Sequence, residues 1–134
     1  MKRSILDTDT ISNLMRGNEF IRKKIDEHIR EFGKIGISAV TYYEVLNGLY
    51  YKDSKKQLSI FEKFISENTI VVLTAQSAKI AANIEADLRK KGTVIGHTDT
   101  LIAGIAIAND LQLVTNNTDH FKRVKGLKIA NWLK

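Results

Sequence analysis

Short apolar runs alternate along the chain with longer stretches whose apolar residues recur every three or four positions. The runs lie at 3–6, 35–39, 69–73, 111–115 and 127–130, a length suited to strands buried on both faces. Ile21, Ile25, Ile29 and Phe32 mark one face of a helix between the first two runs. Leu58, Phe61 and Ile65 mark another, and Ala78, Ala81, Ala82, Ile84 and Leu88 a third. Residues 101–108 have no polar member, which predicts a helix buried on all sides with small residues permitting close packing. The stretch 41–66 holds two helices broken around Tyr50-Tyr51-Lys52-Asp53, and such a pair could project as an arm. Strands alternating with helices predict an α/β fold with a mainly parallel sheet covered on both faces. No repeat, low-complexity tract or linker divides the sequence, so 1–134 is read as a single domain.

Acidic residues fall where the strand-like runs give way to helical patterns. Asp7 follows Ile5-Leu6, Glu44 follows Ile37-Ser38-Ala39-Val40, Asp99 follows Thr93-Val94-Ile95, and Asp119 comes after Leu113-Val114. In an open parallel sheet these junctions gather along the carboxyl ends of the strands, where ligands bind at the topological switch point. Each acid also has a plain structural role available. Thr41 and Glu44 fit a capping box, Asp99 or Thr98 could cap a helix, and Asp119 sits in a polar turn. Asp7, directly after the first strand, is the hardest to explain that way. Two ionised carboxylates about 4 Å apart repel by roughly 4 kcal/mol at an effective dielectric of about 20, so a cluster either raises its pKa values or binds a cation. All the donors are oxygens and no histidine pair has zinc spacing, so the pattern favours Mg²⁺ or Mn²⁺.

Composition narrows the setting. Lys and Arg number 21 against 15 Asp and Glu, a net +6, so a basic surface surrounds the proposed acidic pocket and suits a polyanionic partner. No apolar run approaches the roughly 20 residues of a membrane span, and Asp7 and Asp9 interrupt any signal-peptide pattern. With no cysteine there are no disulfides or thiolate nucleophiles, and the chain is expected to be cytoplasmic without a membrane partner.

Four segments carry a resemblance: Ile5-Leu6-Asp7-Thr8-Asp9-Thr10-Ile11, Thr41-Tyr42-Tyr43-Glu44-Val45-Leu46-Asn47-Gly48, Ile95-Gly96-His97-Thr98-Asp99-Thr100-Leu101-Ile102-Ala103 and Leu113-Val114-Thr115-Asn116-Asn117. In order and spacing they resemble the PIN-domain ribonucleases, and within them the VapC-type toxins of bacterial and archaeal toxin–antitoxin pairs. The resemblance covers essentially the whole chain, including the ending from Phe121 to Lys134 with Trp132. It implies a three-layer α/β/α sandwich with a five-stranded, mainly parallel sheet. It further implies a Mg²⁺- or Mn²⁺-dependent endoribonuclease acting on structured RNA, often tRNA and in similar members initiator tRNA. Such proteins are usually homodimers, inhibited by a cognate VapB-type antitoxin. The family's catalytic and metal-holding acids map to Asp7, Glu44 and Asp99, and its small polar residue of the last motif to Thr115. Asn116 and Asn117 take the neighbouring site-facing positions, and Asp119 and Asp9 are further candidate ligands. The sequence departs from the pattern at Asp9, where asparagine is commoner, and at Val94, where proline is usual.

Two rivals use the same residues. Leu6-Asp7-Thr8-Asp9-Thr10 also resembles the opening motif of haloacid-dehalogenase-type phosphatases, and a non-catalytic PIN-fold interaction module would keep the fold without the chemistry. Of the remaining residues, His97 lies within reach of a site at Asp99, while His28 and His120 are expected as surface or half-buried residues. Tyr42 or Tyr43 could stack on a base, and Lys52, Lys55, Lys56 and Arg89, Lys90, Lys91 could meet phosphates. Leu46, Leu49 and Tyr50 are apolar candidates for a subunit interface.

Overall fold

The computed structural model describes residues 1–133. The elements run β1 (Ser4–Leu6), α1 (Thr8–Met15), α2 (Glu19–Phe32), β2 (Gly36–Ser38), α3 (Ala39–Tyr51), α4 (Lys55–Ser66), β3 (Thr69–Val71), α5 (Ala75–Lys90), α6 (His97–Ala108), β4 (Gln112–Val114), α7 (Thr118–Phe121) and β5 (Ile129–Ala130). The five strands form one parallel sheet in the order β3-β2-β1-β4-β5. β1 is central, and the order reverses between it and β4. That junction is the switch point of the sheet.

Period-two alternation sends neighbouring side chains to opposite layers. Leu6, Ile37 and Val114 join the core under α1 to α4, built around Ile11, Ile21, Ile25 and Phe61. Ile5 and Leu113 join the core under α5 to α7, with Leu88, Ile102, Ile105 and Phe121. The result is the expected three-layer sandwich. Among the described residues no helix is long and apolar enough to cross a membrane.

Several local expectations change. Thr93-Val94-Ile95 forms no strand: it connects α5 to α6, with Ile95 buried and Val94 exposed, so one anchor residue rather than a ladder holds it. Ser38, not Thr41, caps α3, its Oγ accepting the Thr41 N–H at 2.9 Å. Thr41 is therefore inside the helix and Glu44 is released from any capping role. α3 and α4 do break where the sequence suggests, at Lys52–Ser54 with Asp53 in the left-handed region (φ 52°). They do not project as an arm, because Leu49 and Phe61 anchor them in the core, with Leu46, Leu58 and Ile65 packed alongside. Of the candidate interface residues only Tyr50 is exposed. His28 is buried (1% exposed), its Nε2 accepting the Ser4 N–H at 3.0 Å between the rings of Phe32 and Trp132.

Candidate metal centre

β1 delivers Asp7 to the carboxyl edge of the sheet, and the chain turns at once into α1. Asp7 is buried, 5% exposed. It does have a structural duty: it caps α1, with Oδ1 accepting the Thr8 N–H at 2.8 Å. Its other oxygen, Oδ2, accepts from the Thr115 hydroxyl at 2.8 Å. Thr115 follows β4, paired directly with β1, so the contact spans the switch point. The Thr115 Oγ1 in turn accepts the Asn117 N–H at 2.9 Å, which fixes its rotamer and aims its proton at Asp7.

Asp9 lies in the first turn of α1, where the Asn116 N–H donates to its Oδ2 at 3.1 Å. Asp99 sits in the first turn of α6, whose cap is Gly96, so the acid is free of capping duty. His120 approaches it, with Nδ1 3.7 Å from Asp99 Oδ2 and 2.9 Å from Asn117 Nδ2. Asp7, Asp9 and Asp99 line one open cavity of about 370 Å³, together with Ser12, Asn13 and Asn117. Glu44 stands beside it, across Thr8, whose hydroxyl donates to Glu44 Oε1 at 2.7 Å.

Concentrating acids under the sheet edge perturbs them as expected. Burial pushes Asp7 up to about 7, and the charges of Asp9 and Asp99 add to the rise, while the bonds from Thr115 and Thr8 oppose it. Asp9 is raised by burial and eased by the Asn116 and Thr10 donors. Burial also raises Asp99, with His120 opposing and the Glu44 charge adding. A cation in the cavity would reverse all three penalties.

The other expected residues divide. Asn117 reaches the cavity, whereas the Asn116 side chain accepts from Asn131 and only its N–H serves the site. Asp119 is turned away: it is on the outer side of the α7 turn, 86% exposed at its side chain, and pairs with Lys122 at 3.2 Å. His97 is exposed at the start of α6. Tyr42 donates to Glu62 at 2.7 Å and packs on Phe61, leaving Tyr43 the exposed ring. Lys91 pairs with Asp87 at the end of α5, consistent with helix-terminal charge compensation. Thr8 and Arg16 escaped the sequence reading. A threonine after the first acid gives no signal by itself, and Arg16 ends α1 without an acidic neighbour in sequence.

The PIN domain family model matches residues 4–127. The chain belongs to the PIN-domain family. It is 33% identical to the tRNA(fMet)-specific endonuclease VapC of Salmonella typhimurium, over 98% of this chain and 99% of that one. It is 36% identical to the protein of the same name from Shigella flexneri, over 75% of this chain and 76% of that one. A chain of the DNA-bound VapBC structure from Salmonella typhimurium superposes with a TM-score of 0.87, at 32% identity, covering 98% of this chain and 99% of that one. Membership of this family sets aside the phosphatase reading of Leu6–Thr10. In this PIN domain the donor set is all oxygen, as a hard divalent ion requires. Among the described residues no three His, Asp or Glu side chains already surround one point at ligand distance. Mg²⁺ does not need them to, since it retains several waters and takes one or two carboxylates plus substrate phosphate oxygens.

Proposed function

We propose that this PIN domain is a metal-dependent endoribonuclease toxin that cuts structured RNA, with tRNA, including initiator tRNA, as the substrate class. The observation that carries the reading is the convergence of Asp7, Asp9 and Asp99 on one cavity at the switch point, with burial raising all three pKa values and neighbouring carboxylate charge adding to the rise at Asp7 and Asp99. Asp7 and Asp99 would hold Mg²⁺ or Mn²⁺, with Asp9 beside them. Such an ion, when bound, neutralises the carboxylates and polarises both the phosphodiester and the attacking water.

The chain's own residues do the rest. Thr115 and the Thr8 N–H hold the two oxygens of Asp7 apart in fixed directions. Thr8 occupies Oε1 of Glu44, which leaves Oε2 to take a proton from the attacking water. The water oxygen bonds to phosphorus as the bond from phosphorus to one ribose oxygen breaks, and the departing oxygen takes a proton from solvent, leaving a phosphate on one strand end and a hydroxyl on the other.

The partner follows by analogy with the VapBC complexes: a cognate VapB-type antitoxin would place a basic side chain against the acidic cavity and stop cleavage. Homodimerisation is part of the same reading. The test is incubation of the antitoxin-free protein with total tRNA and Mg²⁺ or Mn²⁺, beside an EDTA control and an Asp99→Asn variant. Discrete fragments that disappear with EDTA and with the variant are the expected result. Cleavage that survives both would sink the metal-centre reading, and a protein that binds neither metal nor RNA would revive the non-catalytic module.

A further inference from the structure

A second concavity opens directly off the carboxylate cavity. Thr8, Ser12 and Arg16 line both, so α1 forms a shared wall between them. This trough, about 170 Å³, runs between α1 and the α3–α4 pair, with Met15 and Val45 as apolar lining and Lys52 and Gln57 at α3's end and on α4. Three observations point to an occupant. Arg16 is exposed and makes no ion pair with a carboxylate among the described residues, although it borders a cavity with three of them. Lys52 is exposed and likewise unpaired. Gly48, exposed in the last turn of α3, borders the trough, and a Cβ built on it meets nothing within 4 Å. Glycine weakens a helix interior relative to alanine, and no neighbouring residue of this protein demands its absence of side chain. A flat group lying over Gly48 would.

We propose that this trough is the subsite for the nucleotide flanking the scissile phosphate, with its base over Gly48 against Met15 and Val45 and its phosphates at Arg16 and Lys52. The inference rests on the nuclease reading and names how the RNA strand leaves the acidic centre. Charge favours RNA over a protein segment here. Two unpaired cations outnumber the one carboxylate of the lining, Glu44, which stands beside the acidic centre; with the apolar floor between them they match a nucleotide's alternation of phosphate and base, and Arg is suited both to phosphate and to stacking. The cations also give the substrate an attractive path to a cavity that would otherwise repel it.

The test uses fluorescein-labelled tRNA, with binding read by fluorescence polarisation across a salt series in Mg²⁺. Asp7→Asn stops turnover, and Arg16→Ala, Arg16→Lys, Gly48→Leu and Lys79→Ala are each added to it. Arg16→Ala should flatten the plot of log Kd against log salt by about 0.7–0.9, the loss of one phosphate contact. Arg16→Lys should restore most of that slope. Gly48→Leu should weaken binding at least tenfold while the thermal midpoint stays or rises, since the new side chain enters open space. Lys79, exposed on α5, should matter little. Unchanged binding in Gly48→Leu, or an equal slope change from Lys79→Ala, overturns the proposal. So does weakened antitoxin binding with RNA affinity intact, which would make the trough a protein groove. Cleavage by the otherwise unmodified chain, measured in parallel, separates the two readings. Uncut RNA that still binds through the trough removes the nuclease assignment alone, and cut RNA with no effect of either variant removes the subsite alone.

Discussion

Asp7→Asn should make the metal-free protein more stable at pH 8 while abolishing its response to metal. In the native state the Asp7 carboxyl titrates at about 7, against 3.8 for an unperturbed aspartate, chiefly because it is buried. The sign follows from linkage. Between those values the folded chain holds a proton that the unfolded chain has released, so stability falls as pH rises from about 4 to 7. Above pH 7 the group is ionised in both states and the full penalty is present, about 4 kcal/mol from the difference in pKa. Asparagine removes the charge and keeps an acceptor for the Thr8 N–H, but Thr115 must rotate to accept from the new amide. That compromise takes back about 1–2 kcal/mol. The net gain, roughly 2–3 kcal/mol, corresponds to a rise of roughly 5–10 °C in Tm for a domain of this size. Thermal unfolding followed by circular dichroism in EDTA, at pH 8 and at pH 4, measures it. The gain should shrink toward the acid end, and saturating Mg²⁺ should raise Tm only for the unsubstituted chain. A Tm that falls at pH 8, or rises equally at both pH values, would refute an ionised, uncompensated Asp7.

Three further outcomes follow from particular contacts. His120→Ala removes a group that lowers the Asp99 pKa, so the acid limb of the pH–kcat/KM profile should move to higher pH, read from steady-state cleavage. Asp119→Ala should leave cleavage unaltered and stability within about 0.5 kcal/mol, because its exposed pair with Lys122 is worth little; a loss of metal affinity would restore Asp119 as a ligand. Gly104→Ala should destabilise by about 1–3 kcal/mol in chemical denaturation. Its Cβ would meet the Ser77 carbonyl at 2.6 Å and the Ala81 Cβ at 2.8 Å where α5 and α6 pack together.

The sequence discloses the parts of this molecule that depend on period and burial. Ile5, Leu6, Leu113 and Val114 are apolar without interruption because their strands are covered on both faces, and 101–108 because α6 is buried from Ile102 to Ala106 and half-buried at Leu101, Ile107 and Ala108. Asp7 stands out because it comes where such a run ends, and Asp99 because it stands just ahead of the apolar run of α6. What remained hidden depends on which helix start the backbone selects. Ser38 and Thr41 are equally good caps in one dimension, and only the bend after β2 decides for Ser38. Thr93-Val94-Ile95 has the composition of a strand but lies between α5 and α6 without a ladder partner. His120 reads as a surface or half-buried residue without a role at the site, since its approach to Asp99 requires α6 and α7 to meet across 20 residues of chain. Asp119 and His120 are adjacent in sequence, yet the α7 turn aims one at solvent and the other at the site.

The bond between Thr115 and Asp7 joins residues 108 positions apart, and so does the pairing of β1 with β4. A growing polypeptide therefore carries Asp7, Glu44 and Asp99 well before it carries the strand that completes their setting. At synthesis rates of roughly 5–20 residues per second, the acids spend seconds on the ribosome without Thr115 to fix Asp7 or the Asn116 amide to steady Asp9. The site is thus complete only once the fourth strand has emerged, because a nascent chain lacks until then the contact that orients Asp7.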